Sequence, residues 1–281
     1  MSVGITAYGA YLPRLRLSRK AVVDANAWYA PEHKGRAKGT RTMANWDEDS
    51  ITMAVAAARD ALGVQGERST ISQVLLASGT LPFAERLNAG LIVEALRLDE
   101  TVAAADLTGA QNAALSGLSQ ALAQAARRQR SVLLAAADNR RTRAASTQEL
   151  DYGDGAAALV IGCDNILAEV LGEAELTVDF VDHFRLAGRE IDYHWEERWV
   201  RDEGITKLVP KVVKAALKNA GLDAAKVDRF IFPSTFAKID AQLAKQCGIK
   251  PEAVVDNLAA QVGDTGVAHG LLLLTQVLAA A

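Results

Sequence analysis

Gly109-Ala110-Gln111-Asn112-Ala113-Ala114-Leu115-Ser116-Gly117-Leu118 has a counterpart in Gly263-Asp264-Thr265-Gly266-Val267-Ala268-His269-Gly270-Leu271. Each stretch is a glycine-containing turn that opens a helix of small residues. What lies upstream also matches. An amphipathic helical pattern (53–62 and 208–217) leads to a short apolar run. That run is Val74-Leu75-Leu76-Ala77-Ser78-Gly79-Thr80 in the first copy and Phe230-Ile231-Phe232-Pro233-Ser234-Thr235 in the second. Sliding one copy over the other pairs Gly117-Leu118 with Gly270-Leu271, Gln111 with Asp264, and Gly79 with Pro233. A duplicated α/β unit places equivalent loops at one end of its sheet, around a pseudo-twofold axis, where ligands bind. The expected division is therefore a first half over 1–175, an insertion or cap over 176–203, and a second half over 204–281.

Outward from these turns the periodicity predicts strands at 3–8, 74–77, 102–107, 131–137, 155–162 and 168–175. Helices are predicted at 18–26, 88–96 and 113–128, with a strong one closing at Leu62. Asp47-Glu48-Asp49-Ser50 sets carboxylates at the start of that strong helix, where the dipole favours them. Residues 31–41 read as a basic loop and 138–151 as a polar excursion. Residues 176–203 hold two of the four His and two of the four Trp among many charges, so they read as a cap and not as core. The helical rhythm returns at 206–220, then strand 229–232, helix 238–247, strand 254–257 and helix 265–280. The second copy is two strands short of the first. That predicts an open sheet edge, a pairing liability, covered by further chain after Ala281 or by another chain.

Composition removes whole classes of function. A net charge of -3 over 281 residues gives no footprint for nucleic acid or membrane. No stretch approaches the ~18 apolar residues of a span. No basic region precedes an apolar run at the start, so no signal peptide is read. Cys163 and Cys247 are the only cysteines, without CxxC spacing, which fits a reducing cytoplasm and neither a disulfide framework nor a zinc ribbon. His183 and His194 are too distant for a helical metal pair, and no metal is expected. Trp195 and Trp199 have the spacing of one helix face and read as packing for the cap.

Several stretches, in order, resemble one family. Gly4-Ile5-Thr6-Ala7-Tyr8-Gly9-Ala10-Tyr11-Leu12-Pro13 is similar to the start of bacterial and archaeal hydroxymethylglutaryl-CoA synthases. So is Asp47-Glu48-Asp49-Ser50-Ile51-Thr52-Met53-Ala54-Val55-Ala56-Ala57-Ala58-Arg59. Asp106-Leu107-Thr108-Gly109-Ala110-Gln111 resembles the family's nucleophile turn, 179–185 its mid-chain segment, and Gly263-Asp264-Thr265 its late Gly-Asn-Thr turn. The resemblance covers nearly the whole chain. It implies the thiolase-like α/β fold, two similar halves in five layers (αβαβα), usually a homodimer through the first half, with a coenzyme A thioester as substrate.

The family's chemistry uses a cysteine acylated at the helix N-terminus, with a Glu, a His and an Asn managing protons and substrate. In this chain the four slots hold Gln111, Gly79, Pro233 and Asp264. An amide cannot carry an acyl group, so a covalent Claisen mechanism is not expected. Gln111 is then a turn residue or a donor to a thioester carbonyl. Some decarboxylating ketosynthases also carry Gln there but keep their histidines. Asp264 is either an N-cap or a general base for retro-aldol cleavage, assisted by Tyr152 or His269; such cleavage needs no nucleophile. Thiolase-fold proteins that cleave hydroxyacyl-CoA side chains in this way work with an OB-fold, zinc-ribbon partner. Lys238 matches a lysine near the pantetheine tunnel. Lys34, Arg36, Lys38, Arg41, Arg140, Arg141 and Arg143 are either solvated or contacts for CoA phosphates. Three functions remain open: a lyase-type acyl-CoA enzyme, a non-catalytic acyl-CoA-binding or scaffolding subunit, and a synthase or acyltransferase whose motifs align differently.

Overall fold

Continuous apolar runs become the central strands of one sheet in the computed structural model, which describes residues 2–63, 66 and 68–281. In chain order the first part holds β1 (Gly4–Tyr11), β2 (Leu15–Ser18), α1 (Arg19–Ala25), a 3₁₀ turn (Pro31–Arg36), β3 (Thr40–Met43), α2 (Ser50–Leu62), β4 (Ile71–Ala77), α3 (Asn88–Leu96) and β5 (Ala103–Leu107). It continues with α4 (Ala113–Arg128), β6 (Ser131–Asp138), α5 (Thr147–Asp151), β7 (Gly155–Gly162) and β8 (Ala168–Glu169). The sheet order is β5-β4-β6-β7-β1-β8. β4 runs parallel to β5 and β6, whereas β6–β7, β7–β1 and β1–β8 are antiparallel.

Alternation along the strands sorts the two faces. Val74, Leu76, Leu133, Ala135, Ala156 and Ala158 pack in one buried cluster with Met53, Ala54, Ala57 and Ala58 of α2 and Ile92 of α3. The intervening residues, among them Leu75, Leu134, Ala136 and Leu159, are also buried, because α4 covers the opposite face. Burial on both faces explains why these strands read as continuous apolar runs. α2 lies close against β1 because Gly9 has no side chain. A Cβ there would stand 2.2 Å from the Ala61 nitrogen and 2.5 Å from the Ala57 carbonyl oxygen. The start of α2 is fixed by a reciprocal cap. Asp49 Oδ1 accepts from the Thr52 N–H at 2.8 Å, and the Asp49 N–H donates to Thr52 Oγ1 at 2.7 Å. Such a cap contributes about 1 kcal/mol.

Residues 2–140, 144–169 and 258–281 form one compact unit, and 141–143 with 170–257 form another. Residues 258–281 return to the first unit. Thr40 and Thr42 N–H donate to the carbonyls of Ala260 and Val262 at 2.8 and 2.9 Å.

The second unit contains β9 (His183–Phe184), β10 (Tyr193–His194), α6 (Glu197–Trp199), a π-helical segment (Val200–Ile205), α7 (Thr206–Ala220) and α8 (Ile239–Cys247). Its core gathers Phe230, Ile239, Leu243, Ala244 and Ile249. α9 (His269–Ala279) closes the chain in the first unit, on β7 and β1.

Several expected elements change. Strands at 229–232 and 254–257 reduce to one parallel bridge between Phe230 and Val254. There the Phe230 N–H donates to Ala253 and the Val255 N–H to Phe230, at 2.7 and 3.0 Å. The expected strand over 168–175 pairs only at Ala168–Glu169, opposite Ile5 and Gly4. β2 forms where no element is expected, β3 at the end of the basic loop and α5 within the polar excursion. Trp195 does not share a helix with Trp199: it precedes α6 and meets Tyr193 edge-on, while Trp199 stacks on Phe180. Among the described residues no helix is long and apolar enough to cross a membrane.

Candidate functional site

Three loops meet at the ends of β4 and β6 in the first unit, and two residues on one loop hold them. Asp138 ends β6 and is buried. Its Oδ1 accepts from Ser78 Oγ at 3.1 Å, from the Gly79 N–H at 2.8 Å and from Thr80 Oγ1 at 3.0 Å. Its Oδ2 accepts from the Val267 N–H at 2.8 Å. Burial raises the Asp138 pKa, against the opposing pull of Arg140 and of the Val267 and Gly79 N–H groups.

Two residues on, Arg140 turns its guanidinium into the same node, its side chain 5% exposed. Nη2 lies 2.9 Å from Asp264 Oδ2 and 2.6 Å from the Asp264 carbonyl oxygen. The guanidinium sits 3.5 Å above the centre of the Tyr152 ring, a cation–π arrangement. Burial opposes its charge, but Asp264, Tyr152 and Asp138 outweigh it and raise the Arg140 pKa. Nε has no hydrogen-bond partner among the described residues.

Asp264 is pinned on all sides. Its N–H donates to Asp151 and its carbonyl accepts from the Gly153 N–H, at 2.7 and 2.9 Å, which makes a one-residue bridge with Tyr152. Its Oδ1 accepts from the Gly266 N–H at 2.9 Å. Burial would raise its pKa; Arg140, then His269 and the Gly266 N–H, prevail and hold it at about 2. Gly266 has φ +61, and a Cβ there would fall 2.3 Å from Asp138 Oδ2 and 3.0 Å from Arg140 Nε. Glycine is therefore required both by conformation and by space. His269 is buried at the start of α9, its Nδ1 3.3 Å from both the N–H and the hydroxyl of Thr265. Asp154, next to β7, accepts from the Ala44 N–H at 2.8 Å. Burial pushes its pKa up to about 6.

The structure thus brings Asp264, Tyr152, His269 and Arg140 together, with Gly79 tied in through Asp138. The other expected site residues are not among these contacts. Gln111 is exposed in the turn before α4. Arg36 pairs with Asp151 at 2.7 Å. Arg141 is in the second unit, exposed, 3.7 Å from Glu190. Lys238 is exposed at the head of α8 with φ +61 and no side-chain capping bond. Arg140, expected either solvated or at a CoA phosphate, is not solvated. It is buried, and its guanidinium is taken up by Asp264 and the face of Tyr152. Cys163 follows β7, its thiol 3.7 Å from the Ala125 carbonyl oxygen. Cys247 is buried in α8, where burial raises its pKa.

Asp138 and Asp154 escaped the sequence reading. A signal existed: each is an acid flanking a fully apolar strand, the position at which a carboxylate is buried and must find donors. His183 and His194, distant in sequence, stack across β9 and β10 with ring centroids 5.6 Å apart. Among the described residues no group of three or more His, Cys, Asp or Glu could hold a metal ion.

No model of a known protein family matches the chain. It is 29% identical to the hydroxymethylglutaryl-CoA synthase of Aeropyrum pernix, over 99% of this chain and 78% of that protein. It is 28% identical to the same-named protein of Methanocaldococcus jannaschii, over 93% of this chain and 77% of that one. Among solved structures, 3-oxoacyl-(acyl carrier protein) synthase III (FabH) of Pseudomonas aeruginosa superposes with a TM-score of 0.85 at 24% identity, covering all of this chain and 90% of that one. A variant of Xanthomonas campestris OleA, solved with bound lauric acid and lauroyl-CoA, also gives 0.85, at 20% identity over 99% of this chain and 90% of that one. The expected thiolase-like α/β fold is the fold of this chain.

Proposed function

We propose that this chain binds an acyl-CoA thioester and makes or breaks a carbon–carbon bond beside it without a covalent acyl-enzyme, in the retro-aldol direction. The acyl-CoA part is supported by near full-length similarity to proteins named hydroxymethylglutaryl-CoA synthase and by the fold shared with an OleA variant that holds lauroyl-CoA. One observation carries the rest. The turn that opens α4 presents Gln111, and both thiols lie elsewhere, one at a strand end and one in a different helix. Burial raises the Cys247 pKa, which disfavours its thiolate.

Retro-aldol cleavage needs a base for the β-hydroxyl and positive charge near the enolate oxygen. Asp264, held at about 2 by Arg140, is a weak base and serves with Arg140 to order the turn. Asp154, at about 6, has the acidity suited to proton transfer near neutral pH. Tyr152 and His269 stand beside Asp264 and Arg140 in the same node. A homodimer and an OB-fold, zinc-ribbon partner belong to this reading as well.

The test is incubation with 3-hydroxyacyl-CoA esters, following release of aldehyde or ketone alongside intact-protein mass. Product with no mass adduct is the expected result. Gln111→Cys, which sets a thiol at the α4 N-terminus, is expected to gain an acyl adduct. An adduct on the unaltered chain refutes the proposal.

A second reading is a non-catalytic acyl-CoA-binding subunit. It is favoured by the engagement of both Asp264 carboxylate oxygens by Arg140 and Gly266. Thioester binding with no turnover, alone or with a partner, selects it.

A further inference from the structure

The duplication brings two loops to the site, 78–80 from the first copy and 264–267 from the second, and neither bonds directly to the other in the hydrogen bonds of the node. Both bond to the same carboxylate. Oδ1 of Asp138 takes three donors from the first loop, and Oδ2 takes the Val267 N–H of the second. Thr80 Oγ1 also accepts from the Asn139 N–H at 2.9 Å, which ties the first loop to the backbone that carries Asp138. On the far side, Arg140 grips Asp264 through both its carboxylate and its carbonyl oxygen. A carboxylate with four donors on two oxygens has its acceptor geometry nearly filled. Its two oxygens are about 2.2 Å apart by covalent geometry, so they set the spacing of the two loops to within a hydrogen-bond length.

We infer that Asp138 is a positioning residue that locks the 78–80 loop and the 264–267 turn into a single body, so that a change at either loop is transmitted to the other. Its value to the site rests on the function proposed above, but the lock itself does not. Gly266 is part of the device, because any side chain there would enter the space of Asp138 Oδ2 and Arg140 Nε. The charged and titratable groups around Asp138 are Arg140 on its own loop, Asp264 on the turn, Tyr152 and Asp154 ahead of β7, and His269 at the head of α9. Protonating Asp138 removes the acceptor from one loop. Both loops should therefore register the same proton.

The experiment follows the backbone amides of Gly79 and Val267 by nuclear magnetic resonance in the full chain. An amide at position 138 has one accepting end, so in Asp138→Asn either Gly79 or Val267 faces a donor. The expected result is exchange of that amide about tenfold faster, the scale of one lost hydrogen bond. In the unaltered chain, and in an Asp154→Asn control, the two amide shifts are expected to move through one common pH midpoint that Asp138→Asn abolishes. A residue that merely filled space would leave that midpoint in place. If Asp138→Asn fails to fold, Thr80→Val removes one donor to Asp138 Oδ1 and the acceptor of the Asn139 N–H, and touches no residue of the 264–267 turn; Val267 exchange is then expected to rise severalfold. Unchanged protection of both amides, separate midpoints, or a Val267 amide indifferent to Thr80→Val overturns the inference. Titration with acetyl-CoA is a separate arm. Concerted shifts of both amides extend the lock to ligand binding, whereas no response with the pH coupling intact counts against the acyl-CoA reading alone.

Discussion

Arg140→Met isolates the energetics of the buried node. Methionine keeps the length and apolar stem of the side chain but leaves Asp264, only 12% exposed at its side chain, without its cation. Ionised Asp264 is stabilised in the folded chain, its pKa being about 2 against an ordinary 3.8. At about 1.36 kcal/mol per unit this is worth about 2 kcal/mol. Loss of the cation–π contact with Tyr152 adds about 1 kcal/mol, and Asp138 and Asp154 lose part of their compensation. The total agrees with the roughly 3–5 kcal/mol cost of orphaning one partner of a buried pair, a large share of the ~5–15 kcal/mol that holds a typical domain.

The sign with pH is fixed by linkage. A depressed carboxylate pKa contributes stability that is present above the unfolded value near 3.8 and is lost as pH falls through about 2. The deficit of Arg140→Met is thus full at pH 7 and shrinks as Asp264 takes up a proton. Urea unfolding of the unaltered chain, Arg140→Met, Asp264→Asn and the double variant, at pH 7 and pH 3, measures it. The double variant should recover part of the loss, because no unpaired charge remains. A cost below about 1 kcal/mol at pH 7, or one equal at both pH values, refutes a buried ion pair as the organising feature.

Two other outcomes follow from the same geometry. Gly266→Ala places a methyl 2.3 Å from Asp138 Oδ2 at φ +61; unfolding experiments should show a loss of about 1–3 kcal/mol, greater than Gly35→Ala, where nothing lies within 4 Å. Asp154→Asn removes a group whose folded pKa is raised to about 6. A raised carboxylate pKa makes ionisation cost stability as pH climbs from about 3.8 through 6, so the variant should gain relative to the unaltered chain between pH 4 and pH 8, by up to about 3 kcal/mol. A flat difference across that range would remove Asp154 from the set of buried titrating groups.

The sequence by itself determined the elements whose side chains see one environment along their whole length. β4, β6 and β7 are apolar on both faces, so their runs stood out wherever the sheet was to be drawn. The run Asp47-Glu48-Asp49-Ser50 marked the start of α2 because helix starts are signalled locally, although the acids precede the first turn and the reciprocal bond with Thr52 came only from the structure. The two glycine turns at 109 and 263 marked where the helices of the repeat begin. Partial-length elements were harder. The stretches 229–232 and 254–257 have strand composition, yet they pair through a single bridge, since pairing depends on what lies alongside and not on propensity. β2 and β3 pair with each other through a basic stretch whose composition gave no strand signal.

The site divided in the same way. Asp264, Tyr152, His269 and Arg140 could be named from the chain, but not the partner of each. Only the tertiary structure decided that Arg140 turns inward to Asp264, that Asp138 bridges loops far apart in sequence, and that burial lifts Asp154 to about 6 whereas Arg140 overrides burial and holds Asp264 at about 2. Hydrogen-bond partners and desolvation are properties of the folded neighbourhood, and one-dimensional spacing carries neither.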